Sequence, residues 1–314
     1  MHLIVQIPAY NEENSIAEVI KDIPRKIKGI NKIDVMVIDD GSRDNTSKVA
    51  KEAGADYVIK NTRNFGLAYT FQKGLNKALE LGADIIVNTD ADNQYNQKEI
   101  PLLVKPIIEG RADIVSGNRQ IEKLSHMSSI KKYGNLSGSN LLGRVVGRNV
   151  RDASSGFRAY TREAALRLFV RSNHTYTHET IIQAVQKKLK VVEVPIEFRK
   201  RNGNSKLISS VPSHVKKSMA SIARSVLMYN SLKFFSYVGF ILILLGAVPI
   251  IRWYILSYLL FDGGQHIQSL LIGSLLIIFG GFSILLGLIA DLLAINRRYL
   301  EEILYFTRKQ FYTK

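Results

Sequence analysis

The sequence predicts a mostly parallel α/β sheet, followed by an interfacial amphipathic helix and two transmembrane helices. Three features of its 314 residues lead there: short apolar runs that alternate with helical patterns before residue 200, polar motifs placed just after those runs, and two long uncharged stretches after residue 233. Strands are expected at Leu3–Ile7, Ile33–Ile38, Tyr57–Ile59, Ile85–Asn88, Ile114–Ser116 and Val191–Val194. Helices are expected at Ser15–Ile27, Asn45–Ala53, Leu67–Leu81, Lys98–Glu109 and Arg162–Leu168. Alternation of this kind argues a parallel sheet, whose ligands sit beyond the carboxyl ends of the strands.

The stretch Phe234–Ile251 carries no charge, and at ~1.5 Å per residue it approaches the ~30 Å of a hydrocarbon layer. After Arg252, which is expected to snorkel, the apolar run resumes and stops at Asp262; Ser269–Ala290 forms the second stretch. The turn between them has no Lys or Arg, whereas both outer flanks are basic, so the positive-inside rule places the flanks in the cytoplasm. The apolar start of the chain is too short for a signal peptide, and residues 1–233 are expected to stay cytoplasmic in a multi-pass protein of the cell membrane. Of the net charge of +16, +7 lies in residues 196–233 and +3 in 296–314, where anionic membrane lipids would attract it. Within Ile208–Tyr229 apolar residues recur every three or four positions with Lys216, Lys217 and Arg224 between them, the pattern of a helix lying in the interface. The tail repeats it with Leu300, Ile303, Leu304 and Phe311 beside Arg308 and Lys309, a stripe that packing on the soluble domain would also produce. The expected divisions are therefore 1–206, 207–233, 234–295 and 296–314. Gly273, Gly280, Gly281 and Gly287 suit close packing, either between the two helices of one chain or within a homo-oligomer.

The absence of cysteine excludes a disulfide scaffold, Cys-ligated zinc and a catalytic thiol. No GxGxxG follows the first strand, which excludes a dinucleotide-binding fingerprint. Nucleic acid would call for basic and aromatic residues on one face, and no such face is found, so none is expected as a partner. Instead the first four strands run into PAYNEEN (Pro8–Asn14), DDGSRD (Asp39–Asp44), NTRNFG (Asn61–Gly66) and NTDADNQ (Asn88–Gln94). Acidic residues at strand ends would repel a diphosphate unless a divalent cation intervened. Asp90, Asp92 and Gln94 alternate along an extended segment and can hold Mg²⁺ or Mn²⁺ with positions left for phosphate oxygens.

PAYNEE, DDGSRD, RNFG and DADNQ, in this order, resemble the signatures of family 2 glycosyltransferases, whose GT-A fold is a Rossmann-like, mostly parallel sheet. DASSGFRAY (Asp152–Tyr160) and RNGNSK (Arg201–Lys206) resemble the dolichyl-phosphate mannose synthase branch and its bacterial polyprenyl-phosphate relatives, including members with two C-terminal membrane helices. The QxxRW motif of processive members is not found, so one sugar per acceptor is expected.

The resemblance implies that Pro8, Tyr10, Glu12 and Asp39 frame the base and ribose of a nucleotide diphosphate sugar, with Asp40 close by. It assigns Asp90, Asp92 and Gln94 to the metal that bridges the diphosphate, and places Glu179, which follows His178 near a helix start, toward the sugar; His174 is read as a surface or packing residue. Arg119, Lys131 or Lys132, Arg158, Arg201, Ser205 and Lys206 are expected at phosphates of donor or acceptor. Asp152 is expected to act as base or acceptor-positioning carboxylate, or else to pair with one of Arg148, Arg151 and Arg158. A polyprenyl phosphate acceptor is already ionised near neutral pH, since the second pKa of a phosphate monoester is about 6, and needs positioning more than a base. A neutral lipid such as diacylglycerol would need one.

Overall fold

The structure, a computed structural model, describes residues 1–124, 127, 129–170, 176–200, 231–259 and 266–312. The expected interfacial helix Ile208–Tyr229, the RNGNSK segment and His174 lie outside the described residues.

Strands β1 (His2–Ala9), β2 (Lys32–Asp39), β3 (Tyr57–Lys60), β4 (Ile85–Asn88), β5 (Ile114–Asn118), β6 (Arg158–Thr161) and β7 (Val191–Pro195) form a sheet in the order β3-β2-β1-β4-β6-β5-β7. Pairing is parallel except at β6, which runs antiparallel to β4 and β5. The parallel majority explains the continuous apolar runs, because helices cover both faces. Along β1, Leu3, Val5 and Ile7 pack with α1 (Ile16–Asp22), α2 (Thr46–Glu52) and α4 (Ile100–Ile108). Ile4 faces the other core with α3 (Leu67–Glu80), α6 (Arg162–Arg167) and α7 (Thr177–Gln186).

Two elements depart from expectation. Strand β6 carries a fully buried arginine, so its alternation of Phe157 and Ala159 with Arg158 and Tyr160 does not read as apolar against polar. Helix α5 (Ser129–Val146) was not expected because its glycines and serines blur a helical stripe. It packs beside the Asp152 loop, where Ser139 Oγ accepts from Ala153 N at 3.0 Å.

The chain divides into two compact units, Met1–Ile222 with Tyr305–Lys314, and Ala223–Leu304. In the second, α8 (Ser231–Tyr254) continues as a π-helical turn over Ile255–Leu259, and α9 runs from Ile267 to Tyr312. Both helices are long and apolar enough to cross a membrane, and only 11% and 17% of their most apolar windows are buried, which argues against core helices of a soluble domain. They pack through glycine: a Cβ at Gly239 would stand 2.6 Å from the Gly280 carbonyl oxygen, and one at Gly246 2.7 Å from that of Gly273. Trp253, Tyr254 and Tyr258 cluster at one end, as aromatic residues do at a membrane interface. Arg252 donates to Ser269 Oγ at 3.3 Å.

Helix α9 does not stop where its apolar stretch does. Its last turns belong to the first unit, where Arg308 Nη1 donates to the carbonyls of Leu166 and Leu168 at 2.7 and 2.8 Å and Nη2 to Asn76 Oδ1 at 2.9 Å. These carbonyls end α6, so the cation also meets the negative end of that helix dipole. Arg162 returns the contact by donating to the Tyr312 carbonyl. Arg308→Ala is expected to destabilise the first unit by about 3 kcal/mol, because buried carbonyls lose their donors. Thermal unfolding of the detergent-solubilised protein measures this, and an unchanged midpoint contradicts it.

Candidate active site

The carboxyl ends of β1, β2, β4 and β5 bring the sequence motifs to one edge of the sheet. The first two loops are stitched together by five hydrogen bonds: Asn11 N to Ser42 Oγ, Arg43 N to Asn11 Oδ1, Glu12 N to Thr46 Oγ1, Asn45 N to Glu13 Oε2 and Glu13 N to Asp44 Oδ2. Pro8 is buried within β1; Tyr10 and Glu12 are half-buried at its end, with Glu12 Oε2 accepting from Ser15 Oγ at 3.0 Å.

Asp39 and Asp40 are buried and already engaged. Asp39 accepts from Ser42 N at 2.7 Å and from the Ser47 hydroxyl. Asp40 accepts from Asn61 Nδ2 at 2.8 Å, Phe65 N at 3.0 Å and Gly66 N at 2.8 Å. In place of an open contact surface, the two carboxylates satisfy loop N–H groups that would otherwise be orphaned. Gly41 closes the assembly: its φ is +74°, and a Cβ there would stand 2.6 Å from the backbone carbon of Arg63. Gly41→Ala should destabilise the fold by about 1–3 kcal/mol by straining the backbone and separating these loops, as read by thermal unfolding. An unchanged midpoint would contradict this.

Asp90 and Asp92 are half-buried in the loop after β4. Asn93 takes a left-handed φ of 57°, and Asp92 Oδ1 accepts from Gln94 N at 3.2 Å, which folds the loop back on itself. Gln94 Nε2 donates to the Arg199 carbonyl at 3.4 Å, and the Gln94 carbonyl accepts from Arg199 N at 2.7 Å. Among the described residues no three His, Cys, Asp or Glu side chains are grouped to hold an ion by themselves. Two carboxylates do fit Mg²⁺ or Mn²⁺ when phosphate and water oxygens complete the shell. The hydroxyls of Thr89 and Ser155, adjacent in sequence to Asp90 and Gly156, are buried without a hydrogen-bond partner among the described residues, as at a site that takes water or ligand.

The Asp152 loop holds the main departure. Asp152 is 1% exposed and pairs bidentately with Arg119, Nε to Oδ2 and Nη2 to Oδ1 both at 2.8 Å, with Arg119 N adding a third bond at 3.1 Å. Its partner is thus Arg119, 33 residues upstream, and not Arg148 or Arg151. Burial alone would push the Asp152 carboxyl up; the Arg119 charge and hydrogen bonds outweigh it and hold the carboxyl below the usual range. Arg119 Nη2 also reaches Ser154 Oγ, which donates to Asn135 Oδ1 on α5, and the guanidinium lies 5.1 Å from the centroid of the Phe198 ring. Among the described residues Arg119 Nη1 has no hydrogen-bond partner, and the Asp90 charge acts on this guanidinium.

Arg158 was expected at a phosphate. It is instead fully buried and donates to Ser116 Oγ, the Thr177 carbonyl, Thr180 Oγ1 and the Ala153 carbonyl, which fastens β5, α7 and the Asp152 loop together. Lys132 is partly exposed on α5 with Nζ 3.5 Å from the Glu122 carbonyl; the Lys131 side chain, Arg201, Ser205 and Lys206 lie outside the described residues. Glu179, in the first turn of α7, accepts from Gln183 Nε2 at 3.1 Å. Sequence reasoning missed Asn135, Ser139 and Glu193. The last accepts from Arg151 N at 3.0 Å, its carboxyl pushed up by burial. No motif marks them; only α5 and β7 being brought to this loop reveals them.

A family model described as glycosyl transferase family 2 matches residues 4–169. The chain belongs to glycosyltransferase family 2. Similar proteins include the UDP-N-acetylglucosamine–dolichyl-phosphate N-acetylglucosaminyltransferase of Methanococcus voltae, 34% identical over 213 residues that span 61% of this chain and 83% of that protein. A dolichyl-phosphate hexose transferase of Haloferax volcanii is 31% identical over 65% of this transferase and 86% of the relative. An undecaprenyl-phosphate mannosyltransferase of Micrococcus luteus is 28% identical over 67% and 89%. In fold, the transferase resembles glucosyl-3-phosphoglycerate synthase of Mycobacterium tuberculosis crystallised with UDP, with a TM-score of 0.57 at 21% identity over 72% of this chain and 80% of that one. The same synthase has also been crystallised with Mn²⁺, UDP and its product.

Proposed function

We propose that this glycosyltransferase moves one sugar from a uridine or guanosine diphosphate sugar to a polyprenyl phosphate, with inversion, at the cytoplasmic face of the membrane. The observation that carries the reading is the state of Asp152. Both its oxygens are occupied by Arg119 and its carboxyl is held below the usual range, which suits a structural anion and not a base. A lipid phosphate needs no base. Its ionised oxygen attacks the anomeric carbon as the bond to the diphosphate oxygen breaks; the bonding pair leaves with the nucleoside diphosphate, and no proton moves.

In this reading Tyr10 and Glu12 receive the nucleoside at the stitched loops of β1 and β2, and Glu179 faces the sugar. Asp90 and Asp92 would hold a divalent cation, whose charge would offset that developing on the diphosphate. Arg119, oriented by Asp152, Ser154 and Phe198, offers Nη1 to a phosphate oxygen. The apolar helices α8 and α9, and relatives named for dolichyl and undecaprenyl phosphate, support a lipid acceptor. The test is a panel of UDP- and GDP-sugars with purified protein, Mn²⁺ and either polyprenyl phosphate or diacylglycerol. Transfer to the phosphate and none to diacylglycerol is expected; the reverse preference overturns the reading.

A further inference from the structure

The Asp152 loop meets the acidic loop at one residue, Gly156. Asn88 Nδ2 donates to its carbonyl and Tyr95 Oη accepts from its N–H, each at 2.9 Å. Asn88 Nδ2 also donates to Tyr176 Oη at 2.8 Å, while Asn88 Oδ1 accepts from Gln6 Nε2 at 2.9 Å. All these groups are buried, and the Tyr176 ring lies parallel on Phe71 with centroids 3.8 Å apart, so the phenol has one orientation.

The Cα of Gly156 faces the metal-binding loop. A Cβ there would stand 2.8 Å from Tyr176 Oη and 3.0 and 3.2 Å from the two oxygens of Asp90. Phenol and carboxylate therefore close on the same small volume, which glycine alone leaves open. Burial first, and then the nearby Asp90 charge, keep the Tyr176 hydroxyl protonated. Asp90 itself stands two residues beyond Asn88, so one buried amide connects the end of β4, the Gly156 peptide and the phenol.

We infer that Tyr176 is a positioning residue: its hydroxyl and Asn88 lock Gly156 against the Asp90 carboxylate and thereby set the affinity of the acidic loop for a divalent cation with a nucleoside diphosphate. This rests on the proposed role of Asp90 as a metal carboxylate. Groups that orient metal-binding carboxylates govern affinity without touching the ion.

Tyr176→Phe keeps the ring and its stack and removes only the hydroxyl. Binding of Mn²⁺ to the full chain in detergent, with UDP or GDP present, is read from the electron paramagnetic resonance signal of free Mn²⁺. The variant is expected to bind Mn²⁺ about tenfold more weakly, with transfer restored toward wild type at saturating Mn²⁺. A purely structural role lowers the unfolding temperature and leaves the Mn²⁺ titration unchanged, and that outcome overturns the inference. Gly156→Ala, which displaces Asp90 from the other side, should weaken Mn²⁺ in the same sense and serves if the phenylalanine variant does not fold; wild-type Mn²⁺ affinity in Gly156→Ala likewise contradicts it. Wild-type protein that binds Mn²⁺ and nucleotide but glycosylates no polyprenyl phosphate sinks the acceptor reading alone, and the titration still decides on Tyr176. Wild-type protein that binds no Mn²⁺ sinks the metal role of Asp90 and with it the inference on Tyr176.

Discussion

Asp92→Ala is expected to lower sugar transfer by about 10³-fold or more, because a divalent cation at a leaving diphosphate supplies several kcal/mol of charge stabilisation. Alanine removes two things at once, the carboxylate proposed to hold the cation and the acceptor of the Gln94 N–H that folds the loop. Asp92→Asn separates them, since the amide oxygen still accepts that bond while the charge is gone. If charge at the ion matters most, Asn and Ala are comparably inactive, and only Ala loosens the loop. Gln94→Ala provides the contrast. Gln94 Nε2 donates to the Arg199 carbonyl; if that loop contact is its whole role, its loss should reduce transfer less than about tenfold, whereas a larger loss marks it as a third ligand. Full activity in Asp92→Asn at limiting Mn²⁺ would contradict the assignment. Initial rates of lipid-linked product against Mn²⁺ concentration make the comparison.

Removing either member of the Arg119–Asp152 pair should cost about 3–5 kcal/mol of stability, since the remaining charge is left buried without its partner. Asp152→Asn is the milder change: the amide keeps shape and one acceptor, and transfer should fall roughly 10²-fold through a misplaced Arg119. Arg119→Met with Asp152→Leu should be more stable than either single variant, because no charge is stranded, and still inactive, because the cation proposed to meet phosphate is absent.

The pH dependence distinguishes this role from that of a base. A carboxyl held below its unfolded pKa contributes stability above about pH 4, which is lost as pH falls through the lower, folded value. Asp152 is then ionised between about pH 5 and 8, and it adds no acidic limb to the rate profile in that range. An acidic limb in that range that vanishes in Asp152→Asn would show that Asp152 takes a proton during the reaction.

Most of the described candidate residues lie at the sheet edge to which the sequence points, and for a physical reason. A parallel sheet buried on both faces produces continuous apolar runs, and the polar residues that follow each run must then sit at its carboxyl edge, as Tyr10, Asp39, Asp40, Asp90 and Asp92 do. What those residues touch was less legible. Asp39 and Asp40 carry the composition of a ligand surface, yet their oxygens are taken by Ser42, Ser47, Asn61, Phe65 and Gly66. Sequence distance hid the rest: Arg119 reaches Asp152 only because β5 ends beside the loop that enters β6, and an arginine inside a four-residue strand gave β6 no apolar signature. Asn88 stood in a quoted motif without a role, and Tyr176 in none; their meeting at Gly156 depends on α7 being brought back to the end of β4. The tail was ambiguous for a different reason. An apolar stripe with basic neighbours suits lipid and protein equally, and the burial of Arg308 against the end of α6 distinguishes packing at that residue.

The most direct test is the mass of the lipid product. Purified protein incubated with its nucleotide sugar, Mn²⁺ and an equimolar mixture of polyprenyl phosphate and diacylglycerol should yield one new organic-phase species: the polyprenyl phosphate plus a single sugar, released by mild acid and not formed by Asp92→Ala. A glycosyl diacylglycerol as the main product, or a polyprenyl product that forms equally in Asp92→Ala, would contradict a metal-dependent transfer to an ionised lipid phosphate.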